Sequence, residues 1–371
     1  MKHIRLLAIV FILVAVVLAF VFVRLEVRPA SIVSTTDAAA VTITDAPIPG
    51  GVDPWGLASD AQGNIWVALP GCDPNPRCAV TAAPGKLAVY NPDILKWTAS
   101  YPFPKNFGQP LFLAFDKQGV VWFPMFQTDA LGSFNPATKA FHQWPIPTKK
   151  AGPWAVAIDH AGNIWFTEHF INRIGRFDPR TQTFQEFATP AKKSYPYGIT
   201  IDVRDNVWFT ENNRAVALIG EYTSQGQLLE YPLPHTGVSI TPHLIITDGK
   251  NTIWWSEGVA GRLGKLDLTQ AQPGTSSGIS EYSYPKPCKT CEIHTSGLGI
   301  DQDGNIWFDD SLQAILGVFS NDGKAQFKIY SPLTQYSHPH DGLLIDQHGR
   351  IWFTEETYSQ LGLILKSNAL S

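Results

Sequence analysis

Hydrophobic and polar positions in this chain fall into short alternating runs separated by Gly, Pro, Asn and Asp. Period-two alternation in such runs, bounded by turn residues, predicts β-strands. One pattern recurs among them and is cleanest at Gly162-Asn163-Ile164-Trp165-Phe166-Thr167-Glu168. Its aromatic pairs return at Ile65-Trp66, Val121-Trp122, Ile164-Trp165, Val207-Trp208, Ile253-Trp254, Ile306-Trp307 and Ile351-Trp352. The tryptophans of successive pairs lie 43 to 56 residues apart. A strand-like unit repeating with a period in the forties is the signature of a β-propeller or another repeat array.

One unit shows the logic. Ala155–Asp159 alternates as a strand, His160-Ala161-Gly162-Asn163 is a tight turn, and Ile164–Glu168 is the next strand. Ile174–Phe177 and Thr183–Phe187 follow as a third and an outer strand, with Asp178-Pro179 between them. Four short antiparallel strands make one propeller blade. Inner strands are expected to begin near Trp55, Pro110, Trp154, Tyr197, His243, Gly297 and His340. Six outer strands are evident, and the seventh unit stops without one. Val41–Pro47 reads like the missing strand, so the expected fold is an all-β, seven-bladed β-propeller over residues 41–371 whose N-terminal outer strand closes the ring. Closure removes two exposed sheet edges.

This topology puts the loop before each inner strand and the loop after each Ile-Trp-Phe strand on one face, the top. Loops held on a rigid scaffold are where sites are usually built. An acidic residue ends the second strand in five units, as Glu168, Glu211, Glu257, Asp310 and Glu355. It serves either as a strand-end cap or as an acidic ring that attracts a hard cation. The residues that break the repeat say more. His243, His294, His338 and His340 stand at or just before inner strands, where other units carry Trp55, Trp154 and Tyr197. Imidazoles beside Glu257, Asp310, Glu355 and Glu356 suit proton abstraction or metal ligation. Trp55, Trp154, Tyr195 and Tyr197 are an apolar platform for a ligand or a channel lining. His243, Trp154, Tyr197 and Glu257 are therefore expected to touch a substrate.

Composition adds compartment and partner class. The chain has 371 residues, 44% hydrophobic and 16% charged, enough for a large core. Net charge is −4, and the N-terminal 28 residues carry +3, so the rest is acidic. An acidic body without a basic run argues against nucleic acid as a partner. Leu6 to Val23 is an uncharged apolar run of 18 residues between Lys2, Arg5 and Arg24, Arg28. That length is at the threshold for a membrane span. Residues 1–28 are expected to form an uncleaved signal-anchor helix, with a cleaved signal as the alternative, and 29–40 a linker. Cys72 and Cys78 share one loop, and Cys288 and Cys291 another. Two local disulfides are expected in an outward-facing, extracytoplasmic domain, membrane-anchored or secreted. Cys288-x-x-Cys291-x-x-His294 leaves a soft-metal site as the other reading. A monomer is assumed.

The repeat Gly-Asn-Ile-Trp-Phe-Thr-Glu, with Arg-Ile-Gly-Arg at 173–176 and Leu-Glu-Tyr-Pro-Leu-Pro at 229–234, resembles the streptogramin B (virginiamycin B) lyases over roughly residues 41–366. The resemblance implies a carbon–oxygen lyase that opens cyclic depsipeptides without water. In that family a His takes the proton α to the lactone carbonyl, the ester C–O bond breaks by β-elimination, and Mg²⁺ held by carboxylates stabilises the enolate. Carried over, His340 is the general base, Glu356 and Glu355 hold the metal, and His294 assists at the carbonyl. The match is partial. The family's Pro-His-Gly is Pro339-His340 here with Asp341 inserted before Gly342, and its preceding Glu is His338, the third expected metal ligand. The substitution could shift the metal preference toward a softer ion. Two other functions are carried: a surface-displayed propeller binding a protein, glycan or small ligand through its top face, and a metal-dependent lactone or ester hydrolase.

Overall fold

The computed structural model describes residues 41–50, 53–72, 84–234, 240–286, 291–321, 326–331 and 337–366. The expected signal-anchor and linker lie outside these. Among the described residues no helix is long and apolar enough to cross a membrane.

The described chain forms seven four-stranded antiparallel sheets, each running from an inner to an outer strand. The seventh sheet takes its outer strand from the other end of the sequence. Val41–Pro47 pairs antiparallel with Gln360–Lys366, from Val41 opposite Lys366 to Pro47 opposite Gln360. The expected closure is therefore present.

The Ile-Trp-Phe strands explain why seven sheets close into a ring. In six blades this strand is buried along its whole length, and in blade five along all but its first residue, Thr252. Alternation sends its Trp to one side and the flanking apolar residues to the other. Trp122 packs with Ile164 and Phe166 of the next blade. Trp165 meets Val207 and Phe209, Trp208 meets Ile253 and Trp255, and Trp254 meets Ile306 and Phe308. Trp307 meets Ile351 and Phe353, and Trp352 meets Ile65 and Val67, which brings the ring round to blade one. One strand pattern thus supplies both halves of each blade–blade interface.

Two local rules keep the geometry. In six of the seven blades the indole N–H of the repeat Trp donates to an Asp six residues earlier, as from Trp208 to Asp202 (3.1 Å) and Trp352 to Asp346 (2.9 Å). The same Asp202 carboxylate accepts from the Arg204 and Asn206 amides, both at 2.9 Å, and so folds the hairpin beneath. Space opposite the Phe is the second rule. Gly175 faces Phe166, and a Cβ there would lie 2.2 Å from the ring. Blade one has the smaller Val67 at the matching place, and there the facing residue is Ala88.

The inner strands carry the site. In blades three to six each has one bulge near its start, as between Pro153 and Val156. A hydroxyl from the second strand ties consecutive inner strands: Thr167 donates to the Tyr197 carbonyl (2.8 Å), Thr210 to that of His243 (2.5 Å) and Thr354 to that of Trp55 (3.0 Å). Blade two departs: Pro110 pairs with Met125 only as an isolated bridge, and the inner strand shrinks to Ala114–Phe115. Blade seven departs in the other direction. Pro339 and Leu343 are four positions apart where their partners Glu355 and Phe353 are two apart, so its bulge holds one more residue than the others.

Candidate active site

The starts of the inner strands meet at the top face around a cavity of about 860 Å³. One wall is aromatic: Trp55, Phe126, Trp154, Phe170, Tyr195 and Tyr197, with His169 among them. The other holds His243, His294, His338, His340 and Glu356. The repeat-breaking histidines are therefore brought together. Ring centroids are 4.8 Å apart for His243 and His294, 4.9 Å for His294 and His340, and 5.5 Å for His338 and His340. The two walls join where Tyr197 lies 4.0 Å from His243 and Trp55 lies 5.2 Å from His340.

Two carboxylates organise the imidazoles. Glu356 accepts from both neighbours, Oε2 from His338 Nδ1 (2.9 Å) and Oε1 from His340 Nδ1 (2.8 Å). The second carboxylate, Asp341, was not expected. It is the extra residue of the blade-seven bulge, its backbone is left-handed (φ 59°), and its side chain is fully buried. Its Oδ2 accepts from the Tyr197 hydroxyl (2.6 Å), and Oδ1 lies 3.1 Å from His243 Nε2. His340 Nε2 is 3.9 Å from Asp341 Oδ2.

Burial alone would lower the His340 pKa, but Asp341 and Glu356 outweigh it and raise it to about 10. Burial would raise Asp341, yet His340 and His243 hold it well below the usual carboxylate range. Glu356 is likewise depressed, His340 and His338 overcoming its burial. His294 goes the opposite way: burial, then the neighbouring His243 and His340, push it well below 6.5, so it is a neutral ring. Its Nδ1 lies 3.1 Å from Ser311 Oγ.

His340, therefore, is not placed as an open base. Its Nε2 is buried and without a hydrogen-bond partner, facing Asp341. His338, expected as a metal ligand, has a side chain 32% exposed on the cavity wall with Nδ1 fixed by Glu356. Trp154, Tyr197 and His243 line the cavity as expected. Glu257 and Glu355 do not. Both are fully buried, and Glu257 accepts from Arg262 Nε (2.7 Å) and Trp255 Nε1 (3.1 Å) within its own blade. Period two explains this, since Glu355 shares its strand face with Phe353 and so turns toward the neighbouring blade. The acidic ring at the channel mouth is thus a set of acids packed inside the blades.

Those buried acids make stability fall with pH. Burial, then the nearby carboxyl of Glu186, raises Glu168 from 4.5 to about 9. Burial and Glu230 do the same to Glu211. A carboxyl raised in the folded state stabilises fully below its unfolded value, and that contribution is lost as pH climbs through the folded one. Between about pH 4.5 and about 9 these two groups therefore oppose folding increasingly. In chemical denaturation, Glu168→Gln is expected to flatten the decline of unfolding free energy across that window; an unchanged slope would contradict the assignment.

Among the described residues no cysteine is free, and Cys72 and Cys291 are disulfide-bonded. Cys78 and Cys288 lie outside the described residues.

The profile of the virginiamycin B lyase family matches residues 96–289, just over half of the chain. The chain belongs to this family. Solved structures agree in fold. A streptogramin B lyase superposes with a TM-score of 0.75 at 23% identity, over 89% of this chain and all of that one. The virginiamycin B lyase of Staphylococcus aureus gives 0.72 at 22%, covering 88% and 99%. A catalytically inactive His-to-Ala variant of the S. aureus enzyme, with quinupristin, gives 0.73 at 21% over the same shares. At these identities the likeness is one of fold. No curated protein sequence matches the chain.

The metal implied by this lyase family is Mg²⁺, and the cavity's donors do not suit it. Mg²⁺ asks for a near-octahedral shell of hard oxygens. Here the converging donors are imidazoles, both Glu356 oxygens accept from histidines, and Glu355 faces away.

Proposed function

We propose that this member of the lyase family opens an ester within a peptide-like ring by β-elimination, with His338 as the base. The observation that carries this is the Glu356–His338 pair at the cavity wall. Glu356 fixes Nδ1 of a ring that is one-third exposed and faces the cavity. Its Nε2 takes the proton from a carbon next to a carbonyl. That C–H electron pair becomes the new C=C bond, and the bond from the β carbon to the ester oxygen breaks. The carboxylate leaves and is later protonated by solvent. Glu356 stabilises the imidazolium as it forms, as a buried carboxylate does for a catalytic His elsewhere. The aromatic wall holds the apolar side chains of the ring. Placement outside the cytoplasm, with disulfides Cys72–Cys78 and Cys288–Cys291, goes with this reading.

The test is the full-length protein with a cyclic depsipeptide, followed by mass spectrometry. Ring opening without gain of water's mass is the expected outcome. Product heavier by one water would mean hydrolysis, and no product would mean binding alone. One observation favours the binding reading: His340, the base the family resemblance names, has its Nε2 closed off against Asp341.

A further inference from the structure

We propose that His243, His294 and His340 bind one divalent transition-metal ion of the zinc class, a site distinct from the Mg²⁺ shell of the family. One ligand atom from each of the three rings lies within 4.8 Å of the others. The Nδ1 atoms are committed outward: His340 to Glu356 (2.8 Å), His294 to Ser311 (3.1 Å) and His243 to Asn212 (3.1 Å). Nε2 is the atom each ring has left. His243 and His340 are 6% and 9% exposed, and their buried Nε2 atoms both face Asp341, His243 Nε2 at 3.1 Å from Oδ1 and His340 Nε2 at 3.9 Å from Oδ2. Two buried imidazole nitrogens and the one carboxylate they share meet at one point, and a cation bound there takes a lone pair from each ring once that ring has given up its Nε2 proton.

The chemistry selects its class. Three imidazoles beside a carboxylate suit zinc-like ions, whereas Mg²⁺ prefers oxygen. A His that gives its other N–H to a carboxylate, as His340 does to Glu356, has the orientation metal-bound histidines usually need. Zinc–nitrogen bonds of about 2.0–2.1 Å would put tetrahedral ligand atoms roughly 3.3 Å apart, so the separations between the ring nitrogens shrink by at most about 1.5 Å. His243 must also change tautomer. Asn212 Nδ2 faces its Nδ1 and donates to the Pro242 carbonyl (2.8 Å), so the amide turns to present its oxygen. Asp341, delivered by the extra residue of the bulge, supplies charge beside the ion.

The proposal does not depend on the lyase reading. The probe is Co²⁺ titrated into metal-stripped full-length protein and followed by visible absorption, then displaced with Zn²⁺. The expected result is one Co²⁺ per chain with the intense bands of low-coordinate nitrogen ligation, displaced by equimolar Zn²⁺ and untouched by a thousand-fold excess of Mg²⁺. His294→Ala is expected to weaken binding at least as much as the loss of an outer-shell partner, roughly 10–100-fold, and His338→Ala to leave it unchanged. Circular dichroism checks the fold of each variant. Should His294→Ala fail to fold, the wild-type titration decides alone. Absence of the bands, displacement by Mg²⁺, or full binding by folded His294→Ala overturns the proposal. Metal binding without ring opening sinks only the lyase reading, and ring opening by protein that takes no Co²⁺ sinks only this one.

Discussion

His338→Ala is expected to lower the rate of ring opening by about 10²–10⁴-fold, the usual contribution of a positioned general base. That corresponds to about 2.7–5.5 kcal/mol of transition-state stabilisation. The fold should barely notice. The His338 side chain is one-third exposed and belongs to no hydrophobic cluster, so the thermal midpoint should move by only a few degrees. The substitution does leave Glu356 with one imidazole fewer, but His340 still donates to its other oxygen. This asymmetry makes His338 a cleaner test than His340. Removing His340 would leave Asp341 and Glu356 buried with their shared counter-charge gone, so activity and stability would fall together. Steady-state rates on both variants, beside their melting curves, separate the two roles. A His338→Ala protein as active as its parent would move the base to another ring, and His294, neutral and on the same wall, is next in line.

Deletion of Val41–Pro47 is expected to abolish the cooperative propeller. Seven ladder pairs join this strand to Gln360–Lys366, and without it blade seven is left with three strands and Gln360–Lys366, otherwise an interior strand, as its edge. Packing is lost as well. Ile43 lies against the cluster of Trp307, Phe353 and Ile364, and Ala46 against that of Trp352, Leu361 and Leu363. The blade-seven site hangs on the same sheet, since His340 sits on its inner strand. Size-exclusion chromatography and thermal melting should show aggregated protein without a sharp transition. A monomer melting near the parent temperature would mean that closure contributes little.

The fold was legible because each blade repeats the same face-to-face contact. Ile164, Trp165 and Phe166 read as a strand with two apolar sides, and such a strand needs a sheet on each side of it. The N-terminal strand was legible because one outer strand was missing from the count. The gathering of His243, His294, His338 and His340 followed from register, all four standing at the starts of inner strands. Two things did not follow. The acids ending the second strands were read either as strand-end caps or as a ring at the channel mouth, and which of the two held was settled only by alternation, which puts Glu168 on the face of Ile164 and Phe166, inside the blade interface. Glu356, one residue past the strand, escapes that alternation and reaches the cavity. Asp341 was visible only as a departure from a motif. Nothing in its neighbours' sequence says that an inserted residue takes a left-handed turn and drops a carboxylate between Tyr197 and His243, because both partners come from other blades.

Elimination at the top-face cavity can be followed in a single labelled reaction. The substrate is a cyclic depsipeptide deuterated at the carbon next to the carbonyl and β to the ester oxygen, incubated with the full-length protein in ¹⁸O-enriched water. The predicted product is ring-opened, has lost its deuterium to solvent, and carries no ¹⁸O. A product that keeps the deuterium and gains ¹⁸O would contradict it, as would a substrate that stays closed.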